Sequence, residues 1–272
     1  MKDRIYIATF SQEAVNMAKK YGLGLELNHI CISENLDEDK IESTRNEIAA
    51  DLETIGGRAP ILHAPFTELC PGSIDHRAVE LAMDRLKEAY AVAAEFGIKK
   101  MVVHSGYMPW LYFKEWHLEK SLDFWRAFMA DKPADFCLCI ENVFEDEPYM
   151  LKELAGKLDD PRVGICLDIG HANVMTGKSD LALGKALRAG VSGSGVLSVP
   201  QWIGVLGAHI KHFHLHNNDG NADMHDSLQR GTLDAKEIFE TIKRCCGQDV
   251  TFTIESRTCE DTIRWLAENK YI

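Results

Sequence analysis

The chain of 272 residues has 46% hydrophobic content, enough to bury one large core, and we expect a single domain over residues 1–272. Its formal net charge of −12 disfavours tight nucleic-acid binding, because proteins that grip a phosphate backbone usually carry a basic surface. The first residues contain no apolar signal segment, and no run of about 18 uncharged apolar residues occurs, so neither secretion nor membrane insertion is indicated. We therefore expect a soluble, cytoplasmic protein.

Eight cysteines are scattered along the chain without CxxC spacing, so we expect reduced, mostly buried thiols rather than disulfides. Cys137 and Cys139 stand two residues apart in an apolar run, which places both on one face of a strand as small core residues. We assign no chemistry to them.

Short β-branched runs alternate with longer amphipathic segments, a pattern typical of βα units around a parallel sheet. The predicted strands are RIYIATF (4–10), LGLELNHI (23–30), PILHAPF (60–66), KKMVVHSG (99–106), FCLCIENV (136–143), VGICLDIGHA (163–172), HIKHFHLHNND (209–219) and VTFTIES (250–256). Eight parallel strands close a barrel, so we predict an α/β fold with a single (β/α)8 TIM barrel. The alternative, an open doubly wound sheet, usually carries a glycine-rich turn after its first strand, whereas TFSQEA contains no glycine.

Helices are predicted between these strands, at residues 37–55, 74–97, 117–130, 148–158, 200–206, 234–245 and 259–269. The segment 74–97 spaces its Ala, Leu and Val residues to fit one buried face, and Gly97 is its predicted stop. Residues 186–200, ALRAGVSGSGVLSVP, interrupt the alternation, and we expect a mobile loop there that is a candidate lid.

Ionisable side chains accumulate where the predicted strands end, and this end of an α/β barrel carries the catalytic groups. They are His63, His104, Glu141, Asp168, His171, His214, Asp223, His225 and Glu255. Such a concentration brings like charges together, so the carboxylates must protonate or find cations. We therefore predict a divalent-metal site for zinc, manganese or ferrous iron, with two or three ions.

Three histidines alternate on the seventh predicted strand, so His212, His214 and His216 share one face. We predict that His214 is a ligand, that His216 near the end of the strand contacts substrate, and that His212, which lies deeper, is a packed histidine. His29 and His76 lack this context and are expected to be ordinary surface or rim residues.

Short motifs on successive strands resemble those of the xylose isomerase-like barrel superfamily, which contains sugar isomerases, ketose epimerases and the endonuclease IV enzymes of AP endonuclease family 2. The motifs are HAPF (63–66), VVHSGY (102–107), IEN (140–142), LDIGH (167–171), FHLHNND (213–219), DMH with the later RG (223–231) and IES (254–256). The resemblance spans nearly the whole chain, and it implies the same barrel fold.

Similarity to endonuclease IV implies that the nine residues form a three-zinc ligand set, in which a metal-bridging hydroxide attacks a phosphodiester and Glu141 bridges two ions. Against a nuclease, the loop HAPFTELCPGSID (63–75) is acidic to neutral and offers little to hold a DNA backbone. We interpret the aromatic loop GYMPWLYFKEWH (106–117) as the wall of a small-molecule pocket or an oligomer contact.

Similarity to the isomerases and epimerases implies a smaller set, in which Glu141, Asp168, His214 and Glu255 hold one metal. The catalytic residues are then Glu141 and Glu255, which move protons next to a metal-polarised carbonyl, and His171, which hydrogen-bonds the sugar. A substrate-binding arginine expected shortly after the seventh strand is missing, so substrate recognition must differ.

The acidic charge favours, as the first hypothesis, a divalent-metal-dependent isomerase or epimerase of sugars or sugar phosphates. An endonuclease IV-like zinc phosphodiesterase is the alternative, and a metal-stabilised binding protein ranks last. We expect a small sugar or sugar phosphate as partner, contacted by His216, Trp110 and Arg257, and no membrane partner. Nucleic acid is disfavoured but stays open as a partner, and so does assembly into a homo-oligomer.

Overall fold

The computed structural model describes residues 1–178 and 197–272, and it closes eight parallel strands into one barrel in chain order. Each strand pairs with its neighbours in the chain, and the first pairs with the last. The strands are β1 (Ile5–Ala8), β2 (Gly24–Leu27), β3 (Ile61–His63), β4 (Lys100–His104), β5 (Cys137–Glu141), β6 (Val163–Asp168), β7 (Ile210–Leu215) and β8 (Thr251–Ile254). The predicted (β/α)8 TIM barrel is confirmed.

Helices surround this barrel on the outside. In the part of the chain that the structure describes, they are α1 (Ala14–Tyr21), α2 (Ile41–Thr54), α3 (His76–Glu95), α4 (Lys114–Met129), α5 (Tyr149–Leu158), α6 (Ile169–Lys178), α7 (Val199–Leu206), α8 (Ala235–Cys245) and α9 (Cys259–Glu268). The sequence did not predict α1, because only Ala14 and Ala18 of this helix are buried and two alanines make a weak apolar stripe.

The prediction of one strand over residues 163–172 was wrong at its end, since β6 stops at Asp168 and α6 begins at Ile169. The carboxylate of Asp168 accepts a hydrogen bond from the backbone N–H of His171, at 2.6 Å. A side chain that satisfies a free N–H in the first turn favours a helix start. The residues after Asp168 therefore belong to helix α6 and not to the strand.

Helix α3 follows the predicted pattern closely. Asp75 caps its first turn by accepting from the N–H of Arg77, and Leu86 lies on the buried face with several alanines. Burying a leucine of this kind contributes about 2 kcal/mol. Gly97 has a φ of 66°, a left-handed conformation that glycine adopts without strain, so the predicted stop is confirmed.

Helix α7 confirms the short helix predicted at 200–206. It starts with a capping box, in which the side chains of Ser198 and Gln201 satisfy each other's backbone N–H groups. Most of the predicted loop and candidate lid at 186–200, namely residues 186–196, lies outside the described residues.

The interior of the barrel is layered, and this layering positions the site. Its lower layer is a small apolar cluster, which contains Ile61, Val102, Cys139 and Cys166. Because side chains on one face of a strand recur every second residue, the next inward positions are occupied by His63, His104, Glu141 and Asp168. On β3 to β6 the interior is therefore apolar directly below a layer of ionisable groups, whereas on β7 the buried His212 pairs with Cys166.

All eight cysteines are free, and four of them are buried. The sulfur atoms of Cys137 and Cys139 lie 3.8 Å apart, as expected for two residues on one face of β5. Among the described residues, no helix combines the length and the apolar character needed to cross a bilayer.

Candidate metal centre

The structure brings all nine predicted ionisable residues together at the C-terminal ends of the strands. Five of them are at most 4% exposed, namely His63, Glu141, Asp168, His214 and Glu255. Buried carboxylates are unfavourable unless they are paired or bound to cations, so this cluster favours the binding of protons or metal cations.

Glu141 lies at the centre of this cluster and presents its two oxygens to different histidines. Oε1 lies 3.2 Å from Nδ1 of His214. Oε2 lies 3.3 Å from Nε2 of His63 and 3.4 Å from Nε2 of His104. The carboxylate therefore contacts imidazoles through both of its oxygens.

His214 connects Glu141 to the other buried carboxylates. Its Nδ1 lies 3.3 Å from Glu255 and 3.7 Å from Asp168. Asn142 orients Asp168 by exchanging two hydrogen bonds with its backbone, at 2.9 Å and 3.0 Å. The asparagine of the IEN motif thus fixes the position of the backbone at the last residue of β6.

A third group lies closer to solvent and includes residues from the loop after β7. Nε2 of His225 is 3.0 Å and Nε2 of His171 is 3.3 Å from the carboxylate of Asp223. His216 stacks on His225 and places its Nε2 3.0 Å from Asp168. His216, predicted as a substrate contact, is fully buried, so the structure brings it among the candidate ligands.

The loop that carries Asp223 and His225 is held down by Asn217. The side-chain amide of Asn217 donates to the carbonyls of Leu228 and Leu233, at 2.9 Å and 3.0 Å. These hydrogen bonds explain why an asparagine follows the histidine-rich strand in the FHLHNND motif.

Several candidate ligands use a second ring nitrogen to hold their orientation. Nδ1 lies 2.9 Å from a backbone carbonyl in His63 and in His171, and 2.8 Å from one in His225. In His63 and His225, Nε2 is then the atom nearest a carboxylate, whereas both nitrogens of His171 lie 3.3 Å from one, Nδ1 from Glu141 and Nε2 from Asp223. Histidines that bind metal are typically oriented in this way by a partner on the other nitrogen.

Glu26 on β2 belongs to the same cluster and was missed by sequence reasoning. It is fully buried inside the barrel, 3.0 Å from Nε2 of His214 and 3.0 Å from Nε2 of His212. The signal was present, since a lone carboxylate interrupts the apolar run from Leu23 to Leu27. His212 is fully buried and hydrogen-bonded, which confirms it as a packed histidine.

Charge compensation within the metal-free cluster perturbs several pKa values. Burial lowers the pKa of His171, but Asp168, Asp223 and Glu141 outweigh it and raise that pKa well above its usual value. Burial instead dominates at His104 and lowers its pKa to about 3. Protonated imidazoles therefore neutralise part of the carboxylate charge, and divalent cations can replace those protons.

The donor set fits divalent metal ions. Several groups of described residues bring their ligand atoms within 4.8 Å of one another, among them His63 with His104 and Glu141; Glu26 with His63, His214 and Glu255; and His171 with His216, Asp223 and His225. Mixed imidazole and carboxylate ligands suit zinc, manganese or ferrous iron. In addition, Nδ1 of His216 is buried without a hydrogen-bond partner among the residues that the structure describes.

Exposed aromatic side chains lie directly against the outermost histidines. Phe66 stacks on His104 with ring centroids 4.4 Å apart, and Phe10 meets His225 edge-on at 5.5 Å. Trp110 is 66% exposed and adopts a left-handed backbone. Phe10 and Phe66 therefore add apolar surface beside the site.

Arg257, three residues after the end of β8, is exposed, and its backbone N–H donates to the carbonyl of His225 at 2.8 Å.

His76 is exposed, as expected, whereas His29 is partly buried in a contact with Asp51 at 3.1 Å. The contact with Asp51 accounts for His29 without any role at the site.

Comparison with known proteins shows the family to which this fold belongs. The uncharacterised protein MJ1311 of Methanocaldococcus jannaschii is 25% identical over 215 residues, which are 75% of this chain and 66% of that protein. The chain thus spans just under two thirds of the length of the curated relatives it matches.

Solved structures match almost the whole chain. A D-tagatose 3-epimerase-like protein has a TM-score of 0.69 at 21% identity and covers 98% of this chain and 96% of its own. The TTHB071 protein of Thermus thermophilus, soaked with ZnCl2, has a TM-score of 0.68 at 23% identity and 97% coverage of both chains. Endonuclease IV from the same organism has a TM-score of 0.57 at 20% identity, with 97% and 99% coverage. The model of one family matches residues 15–269, and the chain therefore belongs to the xylose isomerase-like TIM barrel family.

Proposed function

We propose that the barrel mouth is a multinuclear divalent-metal centre and that the chain hydrolyses a phosphoester there. The observation that carries this proposal is the position of Glu141, whose Oε1 faces His214 while its Oε2 faces His63 and His104. A carboxylate with this arrangement is suited to bridge two cations. It is poorly suited to act as a free base, since both of its oxygens are engaged.

Nine residues supply the ligands in this proposal, in three groups. The first group is His63, His104 and Glu141; the second is Glu141, Asp168, His214 and Glu255; and the third is His171, Asp223 and His225. These residues would hold divalent ions, and the ions would supply Lewis-acid stabilisation of the charge that develops on the oxygens of a phosphoester.

The chain itself prepares the site in two ways. Backbone carbonyls hold His63, His171 and His225 in the orientation that turns Nε2 toward the carboxylates. The apolar layer below, together with complete burial of Asp168, keeps bulk water away from the floor of the site. Both features reduce the reorganisation needed when substrate arrives.

The substrate in this proposal is a small phosphoester rather than a nucleic acid. The net charge of −12 opposes binding of a long polyanion, and the exposed side chains of Phe10 and Phe66 lie against His225 and His104. Trp110 and Arg257 remain predicted substrate contacts, whereas the complete burial of His216 among the candidate ligands argues against its predicted substrate contact.

A sugar or sugar-phosphate isomerase or epimerase, which the composition favoured, is the second candidate. One observation favours it, namely that Glu141 and Glu255 lie 3.2 Å and 3.3 Å from the same atom, Nδ1 of His214. Two carboxylates beside one ligand are the arrangement needed to move protons on either side of a metal-polarised carbonyl. It leaves His63 and His104 without a chemical role, so we rank it below the hydrolase.

Metal content and two activity assays separate the candidates. The hydrolase proposal predicts at least two tightly held ions per chain by elemental analysis. It also predicts metal-dependent cleavage of bis(p-nitrophenyl) phosphate, which Glu141→Gln abolishes. A single ion per chain, unaffected by His63→Gln and His104→Gln, contradicts it. Incorporation of solvent deuterium at a carbon of a ketose supports the second candidate, and efficient cutting of abasic-site DNA contradicts the restriction to small substrates.

A further inference from the structure

Glu26 occupies an unusual place for a carboxylate. It lies on β2 inside the barrel, is fully buried, and receives hydrogen bonds at both oxygens from side chains across the barrel. Oε1 is 3.0 Å from Nε2 of His214, and Oε2 is 3.0 Å from Nε2 of His212. The hydroxyl of Thr253 also donates to Oε2.

His214 differs from His63 and His225 in which nitrogen faces the cluster. His63 and His225 direct Nε2 toward a carboxylate of the cluster and hold Nδ1 on a backbone carbonyl. His214 directs Nδ1 toward Glu141 and holds Nε2 on Glu26 instead. The choice of ligating nitrogen on a histidine is set by the hydrogen bond that the other nitrogen makes.

We propose that Glu26 is a positioning residue of the metal centre, which holds His214 by Nε2 so that Nδ1 is the ligand atom. This inference rests on the proposed metal-dependent function. His214 is fully buried in the barrel interior, and Glu26 performs there the task that carbonyls perform at the outer histidines.

Glu26 is itself held by a continuous chain of hydrogen bonds along the barrel axis. Nδ1 of His212 lies 2.6 Å from the hydroxyl of Thr251, and Nζ of Lys100 lies 2.8 Å from the same hydroxyl. Lys100 and Thr251 are the first residues of β4 and β8, so this chain runs from the ligand layer to the opposite end of the barrel. The carboxylate is therefore fixed before any metal binds.

Direct ligation by Glu26 is the competing interpretation, because its carboxylate is within 4.8 Å of ligand atoms of His63, His214 and Glu255. Its oxygens, however, are already engaged by two imidazoles and a hydroxyl. A positioning role uses those hydrogen bonds, whereas ligation has to break some of them.

Three variants of Glu26 distinguish orientation from charge. Glu26→Gln keeps the length and one acceptor oxygen but loses the charge, Glu26→Asp keeps the charge but loses the reach, and Glu26→Leu loses both. The probe is Co²⁺, titrated into chelator-treated protein while its electronic absorption spectrum is recorded, with Zn²⁺ content measured in parallel. Val102→Ala, in the apolar layer of the same barrel, controls for general loss of stability.

Positioning predicts that Glu26→Asp and Glu26→Leu weaken Co²⁺ binding by roughly 10–100-fold and change its spectrum, whereas Glu26→Gln stays within about tenfold of wild type. The number of ions per chain is expected to stay the same in all three Glu26 variants. Val102→Ala is expected to bind Co²⁺ with wild-type affinity. If only the charge of Glu26 matters, Glu26→Asp binds Co²⁺ with near wild-type affinity and Glu26→Gln loses much of that affinity. If Glu26 is itself a ligand, each of the three Glu26 variants binds one ion fewer per chain. Either result overturns the positioning role.

Thr253→Val keeps the inference testable if a Glu26 variant does not fold, because it removes one hydroxyl from Glu26 without changing the size of the side chain. We expect it to weaken Co²⁺ binding severalfold in the same direction, and unchanged binding contradicts the role. A wild-type protein that binds no divalent ion overturns the proposed function and the positioning role together. A metal-loaded wild type with unaffected variants overturns the positioning role alone.

Discussion

The imidazole rings of His216 and His225 stack face to face, with centroids 4.0 Å apart and planes inclined by 18°. His216 is fully buried at the end of β7, whereas His225 comes from the loop that follows. The stacking fixes His225 against the barrel, and Nε2 of His225 then meets Asp223 at 3.0 Å. The outermost ligand group therefore depends on the position of a ring that sequence reasoning assigned to the substrate.

Gly170→Ala tests that dependence. A Cβ at Gly170 would lie 1.9 Å from Cε1 of His216, so the buried ring must move. Overpacking of this kind costs about 1–3 kcal/mol, and we expect one ion per chain to be lost as His225 is displaced. Denaturant unfolding and elemental analysis measure the two effects.

Gly156→Ala is the matched control, because Gly156 is a helical glycine whose Cβ would meet nothing within 4 Å. It is expected to stabilise the protein by about 0.5–1 kcal/mol and to leave metal content unchanged. If the two alanine variants behave alike, the stacked pair does not control the outer group.

Glu141→Gln is expected to have the largest effect on metal binding of any single change in the cluster. The amide keeps the shape of the side chain but cannot bridge two cations, since only one of its two atoms accepts. Metal affinity should fall by more than the roughly 10–100-fold that is typical of changes outside the ligand shell. Calorimetric titration of metal into chelator-treated protein provides the measurement, and retention of the wild-type number of ions contradicts a bridging role.

The pH dependence of the metal-free protein follows from His225. Burial lowers the pKa of this histidine, but its hydrogen bond to Asp223 and the charge of Glu255 outweigh burial and raise that pKa to about 9. An unfolded histidine has a pKa of about 6.5, so the stabilisation is fully present below that pH. It is lost as the pH rises to about 9.

A metal ion competes with the same proton, so metal affinity should increase over this interval while the stability of the metal-free protein falls. Thermal unfolding after chelation measures the stability, and calorimetry in buffers of different ionisation enthalpy measures the protons released on binding. His225→Gln should reduce both effects, and His76→Gln, at an exposed position, should change neither. Stability that rises across the interval contradicts the assignment.

Arg257→Gln tests the predicted substrate contact beside the site. A lost charge-assisted hydrogen bond to a phosphoester costs about 1.5–3 kcal/mol, so KM should rise by roughly one to two orders of magnitude with kcat little changed. Arg264→Gln, on the exposed surface of α9, is the control. A fall in kcat with unchanged KM indicates that Arg257 acts on the reaction step rather than on binding.

Periodicity and motif order predicted most of the fold and the candidate site. His63, His104 and Glu141 were assigned correctly to strand ends, because one inward face recurs every second residue along each strand. The same rule applied to β2 would have found Glu26. It was overlooked because a single carboxylate on a strand has no partner nearby in the sequence.

The sequence by itself determined the strand order, the barrel and the chemical types of the side chains at its mouth, since these follow from local periodicity and strand sequence. Only the tertiary structure decided which oxygen of Glu141 faces which imidazole, and that His214 is held by Glu26 and His225 by His216. Those partners are up to 188 positions apart in the chain. Closing the barrel determines their separation and the direction of each ring, and no local pattern encodes either quantity.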